Sequence, residues 1–269
     1  MSAKSFTLMR ARQRDRRHLL RGAVAAAGAA VLTGCDRLSS NPAFVETLKS
    51  AEKLSHAAGR LVAPSLALAQ EFSQAQVAPV MRANGSLNPS DADYVALRNA
   101  GFAGYRLAIG GLVDAPAEFS LEQLRAMPSR TQITRHDCVE GWSCIGKWKG
   151  VPLSLLLEQV KPKPEAKFVL FRCYDSMDGP SLDGRDSRYY ESIDLEEARH
   201  AQTIMAYDLN DRALPVANGA PLRCRVERQL GYKQAKYVKA IELVASFDAI
   251  RGGKGGYWED EGYEWYGGI

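Results

Sequence analysis

Residues 135–144 read RHDCVEGWSC and hold one reactive side chain among several polar ones. Cys138 has Glu140 two residues on, Trp142 four residues on, His136 two before and a second cysteine, Cys144, six after. A thiol in that setting can pack, pair with Cys144, attack as a nucleophile with a histidine base, or bind a metal as thiolate. His136 and His200 are available as bases, but no local signature assigns one. His136, Cys138 and Cys144 lack the paired ligand spacing of structural zinc sites. Five cysteines in 269 residues are too few for a disulfide scaffold. Composition and spacing leave these four readings open.

The elements that must position Cys138 read as a mixture of strands and short helices. Tyr105–Val113, Thr131–Arg135, Lys167–Tyr174, Gln202–Leu209, Pro221–Glu227 and Lys236–Ala245 carry the β-branched and aromatic enrichment of strands. Ser120 and Gln123 have capping-box spacing and predict a short helix after Ser120. Val151–Val160 reads as a second helix, with Pro152 tolerated in its first turn. The irregular order of strands and helices indicates an α+β fold rather than a doubly wound sheet. RANGSLNPSDADY, residues 82–94, reads as an ordered loop.

The N-terminus sets where this domain works. Residues 1–34 hold seven basic side chains, among them Arg16 and Arg17, against one acid, Asp15. An Ala-rich apolar run from Gly22 follows, about half the length needed to span a bilayer. A basic region before such a run is an export signal. Leu32-Thr33-Gly34-Cys35 matches a lipobox, which makes Cys35 the expected site of lipidation, and Arg16-Arg17 resembles a twin-arginine signal. Helical spacing from Phe44 to Leu61, stopped by Pro64, predicts a helical tether. The expected organisation is a signal peptide over 1–34, a tether over 35–80 and one domain over 81–269. The chain carries 35 basic and 31 acidic residues; without the leader 28 and 30 remain, a net charge near −2. Such a balance excludes the broad basic surface of a nucleic-acid binder.

RHDCVEGW followed by WKGVPLSLLL resembles the cofactor segment of the sulfite oxidase-like molybdopterin oxidoreductases, and within them the periplasmic protein-methionine-sulfoxide reductase catalytic subunits. The likeness continues through KFVLFRC, ALPVANGAPLRCRV and LGYKQAKYVKAIEL, from about Asn84 to the C-terminus. It implies a sulfite oxidase-type fold binding molybdenum-molybdopterin, with Cys138 as the only protein ligand to the metal. Thiolate is the soft ligand that such a centre prefers. The cofactor's phosphate needs cationic and amide donors. The matching positions are Arg223, Lys233 and Lys236, with Gln234 and Ala235 giving backbone contacts, and Asn218 and Asn84 touching the pterin. Cys173 falls where the family places a threonine beside the cofactor. Cys144 and Cys224 are expected in the core. A folded, cofactor-loaded domain suits twin-arginine export, which carries folded proteins.

The resemblance also bears on the reaction. Sulfite oxidases hold their anionic substrate with arginines, whereas Val139-Glu140-Gly141-Trp142 follows the cysteine here. Glu140 would repel sulfite and favours a neutral sulfoxide or a proton-coupled reduction, which makes it a catalytic candidate. Arg185 and Arg188, in DGRDSRYY, could restore positive charge from a loop, although that segment otherwise reads as a solvated turn. In the C-terminal run GGKGGYWEDEGYEWYGGI, Tyr263 matches a substrate-pocket tyrosine, and Trp258 or Trp265 a tryptophan. The expectation is a lipid-anchored enzyme on the periplasmic face that reduces a sulfoxide or similar oxo-acceptor with electrons from a membrane b-type cytochrome. The alternatives are oxidation of sulfite or a related sulfur compound, and a lipoprotein that kept the fold as a binding or scaffold module.

Overall fold

The computed structural model describes residues 66–177 and 187–269, with a few positions between 41 and 54. The leader, Cys35, nearly all of the expected Phe44–Leu61 helix, and Arg185 lie outside the described residues. The chain divides into two compact units, Met1–Ala58 and Gly59–Ile269, and every element below belongs to the second.

Among the described residues ten strands form two five-stranded sheets. The first has the order β2 (Ala117–Ser120), β1 (Arg106–Gly111), β10 (Val238–Val244), β5 (Phe168–Ser176), β6 (Arg188–Asp194). Its one parallel pairing joins β1 to β10, with Ile109 opposite Ile241. The second runs β3 (Arg130–Cys138), β4 (Trp142–Pro152), β7 (Ile204–Leu209), β8 (Arg212–Ala213), with β9 (Arg223–Arg225) also paired to β7. The described residues of this unit also form five short α-helices: α1 (Ala92–Asn99), α2 (Leu121–Ala126), α3 (Leu153–Val160), α4 (Leu195–Arg199) and α5 (Tyr257–Asp260). Mixed sheets with short helices make the fold α+β, as expected.

Local chemistry explains most boundaries. Ser120 and Gln123 form the capping box at the start of α2. Asp91 and Asp194 cap α1 and α4 through side-chain acceptors, for the amides of Tyr94 and Glu197 respectively. Helix α3 buries Leu153, Leu156, Leu157 and Val160 on one face, against the core with Val169, Phe171 and Ile241. It begins later than its sequence suggests. Val151 and Pro152 still pair with β7 as the end of β4, and Pro152 is the N-cap.

Three further elements depart from the sequence reading. Strand β4 is rich in Gly and Lys and carries little strand signal, yet it pairs along both edges. At Gly150 an added Cβ would lie 2.2 Å from the Met205 carbonyl oxygen, so the approach of β7 requires glycine there. The end of the DGRDSRYY segment, from Arg188, opens β6 instead of lying in a solvated turn. The end of the expected 82–94 loop, from Ala92, is the first turn of α1.

Residues 66–80, expected as the end of the tether, bond onto this unit. The Phe72 amide donates to Ile133 O at 2.8 Å, the Ala78 amide to Ile145 O at 2.9 Å, and the Ala69 amide to Gln202 Oε1 at 2.7 Å. Backbone donors laid against a sheet take whatever acceptors its edge leaves open.

Candidate active site

Strand alternation builds the site. On β3 the buried positions are Gln132, Thr134, His136 and Cys138, a polar inward face with period two. Cys138 ends the strand opposite Trp142, which begins β4. The three residues between them close a hairpin, with Gly141 at φ +83° and its amide donating to Cys138 O at 3.0 Å. The Trp142 indole donates to Glu140 Oε2 at 2.8 Å, and the Arg82 guanidinium lies 4.6 Å over the Trp142 ring. The loop is thereby fixed at the mouth of a cavity of about 200 Å³ that Cys138 and Glu140 both line.

Cys138 is 7% exposed and unpaired. Burial pushes its thiol up, partly opposed by the Glu140 backbone amide. A thiolate there needs compensating positive charge, which a bound metal supplies. Among the described residues no group of three or more His, Cys, Asp or Glu could hold a metal. The described side chains around Cys138 thus leave room for a cofactor to supply a metal's other ligands.

A cationic floor lies beneath the cavity. The Lys236 ammonium donates to Asn84 O at 2.5 Å, Ser86 O at 2.6 Å and Ala217 O at 3.2 Å, drawing the Asn84 loop and the Asn218 turn together. Gly219, at φ +114°, lets that turn pass close to both cations; a Cβ there would sit 3.0 Å from Lys236 Cβ and 3.3 Å from Arg223 Cβ. Arg223 is 1% exposed and donates one bond, from Nη1 to Asn218 O at 3.1 Å, while its Nε and Nη2 have no partner. Burial, and then Arg225, lower the Arg223 guanidinium to about 9. Burial, and then Arg223, lower Lys236 to about 7. His136 is also held neutral, mainly by burial and then by Arg223 and Arg225; its Nδ1 lies 3.1 Å from Arg225 Nη1, and its Nε2 has no partner. Buried donors left unsatisfied beside two depressed cations are the signature of a site for a multiply charged oxyanion.

The wall opposite is aromatic. Tyr263 stacks on Trp258 with centroids 5.2 Å apart and meets Tyr232 edge-on at 5.3 Å, and all three line the cavity. Trp265 is elsewhere, packed on Phe168 and Phe247 with its indole donating to Ser192 Oγ, so Trp258 supplies the pocket tryptophan. Asp175 also lines the cavity; burial raises its carboxyl, Ser86 Oγ donates to Oδ2 at 2.6 Å, and Oδ1 has no partner.

The structure thus brings Cys138, Glu140, Asn84, Gln234, Lys236 and Tyr263 to one cavity, with Arg223 and Asn218 bonded beneath it. It does not bring Lys233 there. Lys233 is sealed from solvent and bonded to Glu191 and Glu259. Cys173 is 2% exposed, pairs with Val238 and does not line the cavity; burial raises its thiol well above the ordinary range. The Ala235 carbonyl already accepts from the Cys224 amide at 2.8 Å. Cys224 is sealed in the core, whereas Cys144 is half-buried opposite His136 on β4; neither forms a disulfide. His200 caps the end of α4 and bonds to Ala67 O, a structural role. Sequence reasoning missed Arg82, Ser86, Asp175, Tyr189 and Tyr232, which come from separate loops and strands with no local signature.

Comparison with known proteins follows the same lines. Residues 95–248 match the model of the oxidoreductase molybdopterin binding domain. A protein named as a protein-methionine-sulfoxide reductase subunit from Azospira oryzae is 40% identical over 172 residues, 64% of this chain and 59% of that one. A protein-methionine-sulfoxide reductase catalytic subunit from Ralstonia nicotianae is 35% identical over 144 residues, 52% of this chain and 44% of that one. The chain therefore spans between about two fifths and three fifths of these curated relatives. A crystal structure of a sulfane dehydrogenase from Paracoccus pantotrophus aligns with TM-score 0.46 and 25% identity over 53% of this chain and 39% of that one. A match over more than half of the sequence, with the thiol and the oxyanion donors in place, settles the family: the chain belongs to the oxidoreductase molybdopterin binding domain family.

Proposed function

We propose that this protein removes oxygen from a sulfoxide, drawing electrons from a membrane haem partner, while anchored through Cys35 to the periplasmic face after twin-arginine export. One observation carries the choice of substrate. The cavity at Cys138 is lined by aromatic and aliphatic side chains and two carboxylates, Glu140 and Asp175, and its one cation, Lys236, is held by three carbonyls. Arg223 and Lys236 at the floor are reserved for the cofactor's phosphate, while at the mouth the Glu140 carboxylate disfavours an anion such as sulfite and a neutral, polarised S=O with apolar flanks fits the ring wall. The names of the relatives point to the same chemistry.

The donors suit molybdopterin. Arg223, through Nε and Nη2, and Lys236 would hold its phosphate, His136 Nε2 and Asn84 Oδ1 offer further polar contacts, and Cys138 would ligate the metal. When bound, the cofactor supplies two-electron redox chemistry coupled to oxygen-atom transfer. The chain's own groups do the rest. Tyr232, Trp258 and Tyr263 exclude water and orient the substrate, Trp142 holds Glu140 at the rim, and Asp175 can keep a proton at Oδ1 in its buried setting.

The test is metal analysis of natively exported protein, followed by turnover of a sulfoxide panel and of sulfite with a redox dye. Molybdenum with sulfoxide reduction is the expected result. Sulfite turnover without sulfoxide reduction would replace this reading with the oxidase, and absence of molybdenum would leave a scaffold role.

A further inference from the structure

A second cleft, about 360 Å³, shares Tyr189 with the cavity at Cys138. It opens where strand pairing breaks. Arg172 on β5 faces Tyr190 on β6 and Ser176 faces Arg188, so three residues of β5 lie against the single residue Tyr189. A bulge of that size leaves a hollow instead of a closed ladder.

The hollow is strongly cationic. Arg172, Arg188, Lys239 and Arg251 line it against one carboxylate, Glu242, which Arg172 engages at 3.0 Å. Lys239 has its carboxylate partner, Asp93, only at 3.7 Å. Arg251 lies over the rings of Tyr190 at 4.9 Å and Tyr257 at 5.7 Å, and donates to the Arg188 carbonyl. Among the described lining residues four cations stand against one acid, a local excess in a chain whose net charge beyond residue 34 is near −2.

Packed rings join this cleft to the first cavity. Tyr257, beneath Arg251, stacks on Tyr189 at 5.9 Å and meets Trp258 at 5.2 Å; Trp258 stacks on Tyr263. The path from the cationic surface to the cavity therefore runs through dense π-systems, which attenuate electron tunnelling less than solvent does. The cavity's mouth beside Cys138 and Glu140 stays open to substrate.

We propose that this cleft docks the acidic face of a protein electron carrier, which delivers electrons through Tyr257 to Tyr189 and Trp258 while substrate occupies the other cavity. The inference rests on the sulfoxide reading above. Two reduced carriers each give up one electron. The sulfoxide takes both with two protons from solvent, its sulfur–oxygen bond breaks, and the products are a thioether and water. Cationic docking steers an acidic partner and raises its encounter rate roughly tenfold or more at low salt.

The test uses membranes from the native host making either the full chain or its Lys239→Glu/Arg251→Glu variant, one half-buried and one exposed change, both outside the cavity. Sulfoxide added to reduced membranes should reoxidise the membrane haem. The variant should do so roughly tenfold more slowly, and added salt should slow only the unaltered protein. Turnover driven by a small viologen dye, which needs no docking, should be equal in both. A milder Lys239→Gln/Arg251→Gln variant should fall between them. Equal haem reoxidation by all three proteins, or none in the unaltered protein while the dye drives turnover, would overturn the proposal. If the dye drives no sulfoxide turnover in the unaltered protein, the sulfoxide reading fails. The cleft is then judged by carbodiimide coupling to partner carboxylates: an adduct that needs Lys239 supports docking, and an identical adduct in Lys239→Glu overturns it.

Discussion

The ammonium of Lys233 lies 2.5 Å from the Glu259 carboxylate, and both side chains are sealed from solvent. Glu191 completes the cluster from β6. Burial alone would lower Lys233, but the two carboxylates more than reverse it and hold it charged. The cluster ties α5, which carries Trp258, to the segment that carries Gln234, so it braces two walls of the cavity. The Lys233 charge is neutralised by the two carboxylates, and the side chain does not line the cavity.

Lys233→Met should therefore cost about 3–5 kcal/mol of stability, because it strands two buried carboxylates. Urea unfolding measures the loss, and adding Glu191→Gln with Glu259→Gln should recover part of it. Molybdenum per folded chain should stay unchanged. A variant of near-normal stability that has lost its cofactor would instead make Lys233 a phosphate ligand.

Cys138→Ser should alter the metal spectrum and abolish turnover while the fold persists, since a hydroxyl is a harder and poorer ligand than thiolate. Cys144→Ser, half-buried on β4, should be silent in both measurements. Unchanged spectra in Cys138→Ser would remove the ligand assignment.

Lys236 gives a pH dependence with a definite sign. Its folded value, about 7, lies below the ordinary lysine value of 10.5. Between those values the unfolded chain holds a proton that the folded chain has released. Lys236 therefore makes the cofactor-free fold more stable as pH rises through that window. Sulfate, a dianion throughout, should restore the charge and raise the melting temperature more at about one unit below 7 than at about one unit above it. Arg223→Met should remove most of this protection. Equal protection on both sides of the folded value would count against an oxyanion site at Lys236.

The anchor is tested separately. Labelled fatty acid should enter the chain and disappear in Cys35→Ala, and replacing Arg16 and Arg17 together by Lys should leave cofactor-loaded precursor in the cytoplasm. Unlabelled, soluble periplasmic protein would refute the lipid anchor.

The sequence by itself determined the local pieces. The Ser120 capping box, the apolar face of α3 from Leu153 to Val160 and the apolar run of β5 follow from short-range periodicity, and RHDCVEGW with its companion blocks carries the family likeness. Where charge and burial conflict, the sequence misled. Lys233 reads as a free cation in GYKQAK, and only the approach of Glu191 and Glu259, from 42 and 26 residues away, shows that it is neutralised. Strand β3 hides its inward face, because Gln132 and His136 are polar and their burial becomes favourable only when Gln202, Glu227, Gln234 and Arg225 supply partners. Tertiary structure alone decided that Arg223 and Lys236 face one another across Gly219, and that Asp175 and the tail aromatics close over Cys138. The reason is physical: hydrophobic periodicity is a property of neighbours along the chain, whereas desolvation and charge pairing are set by neighbours in space.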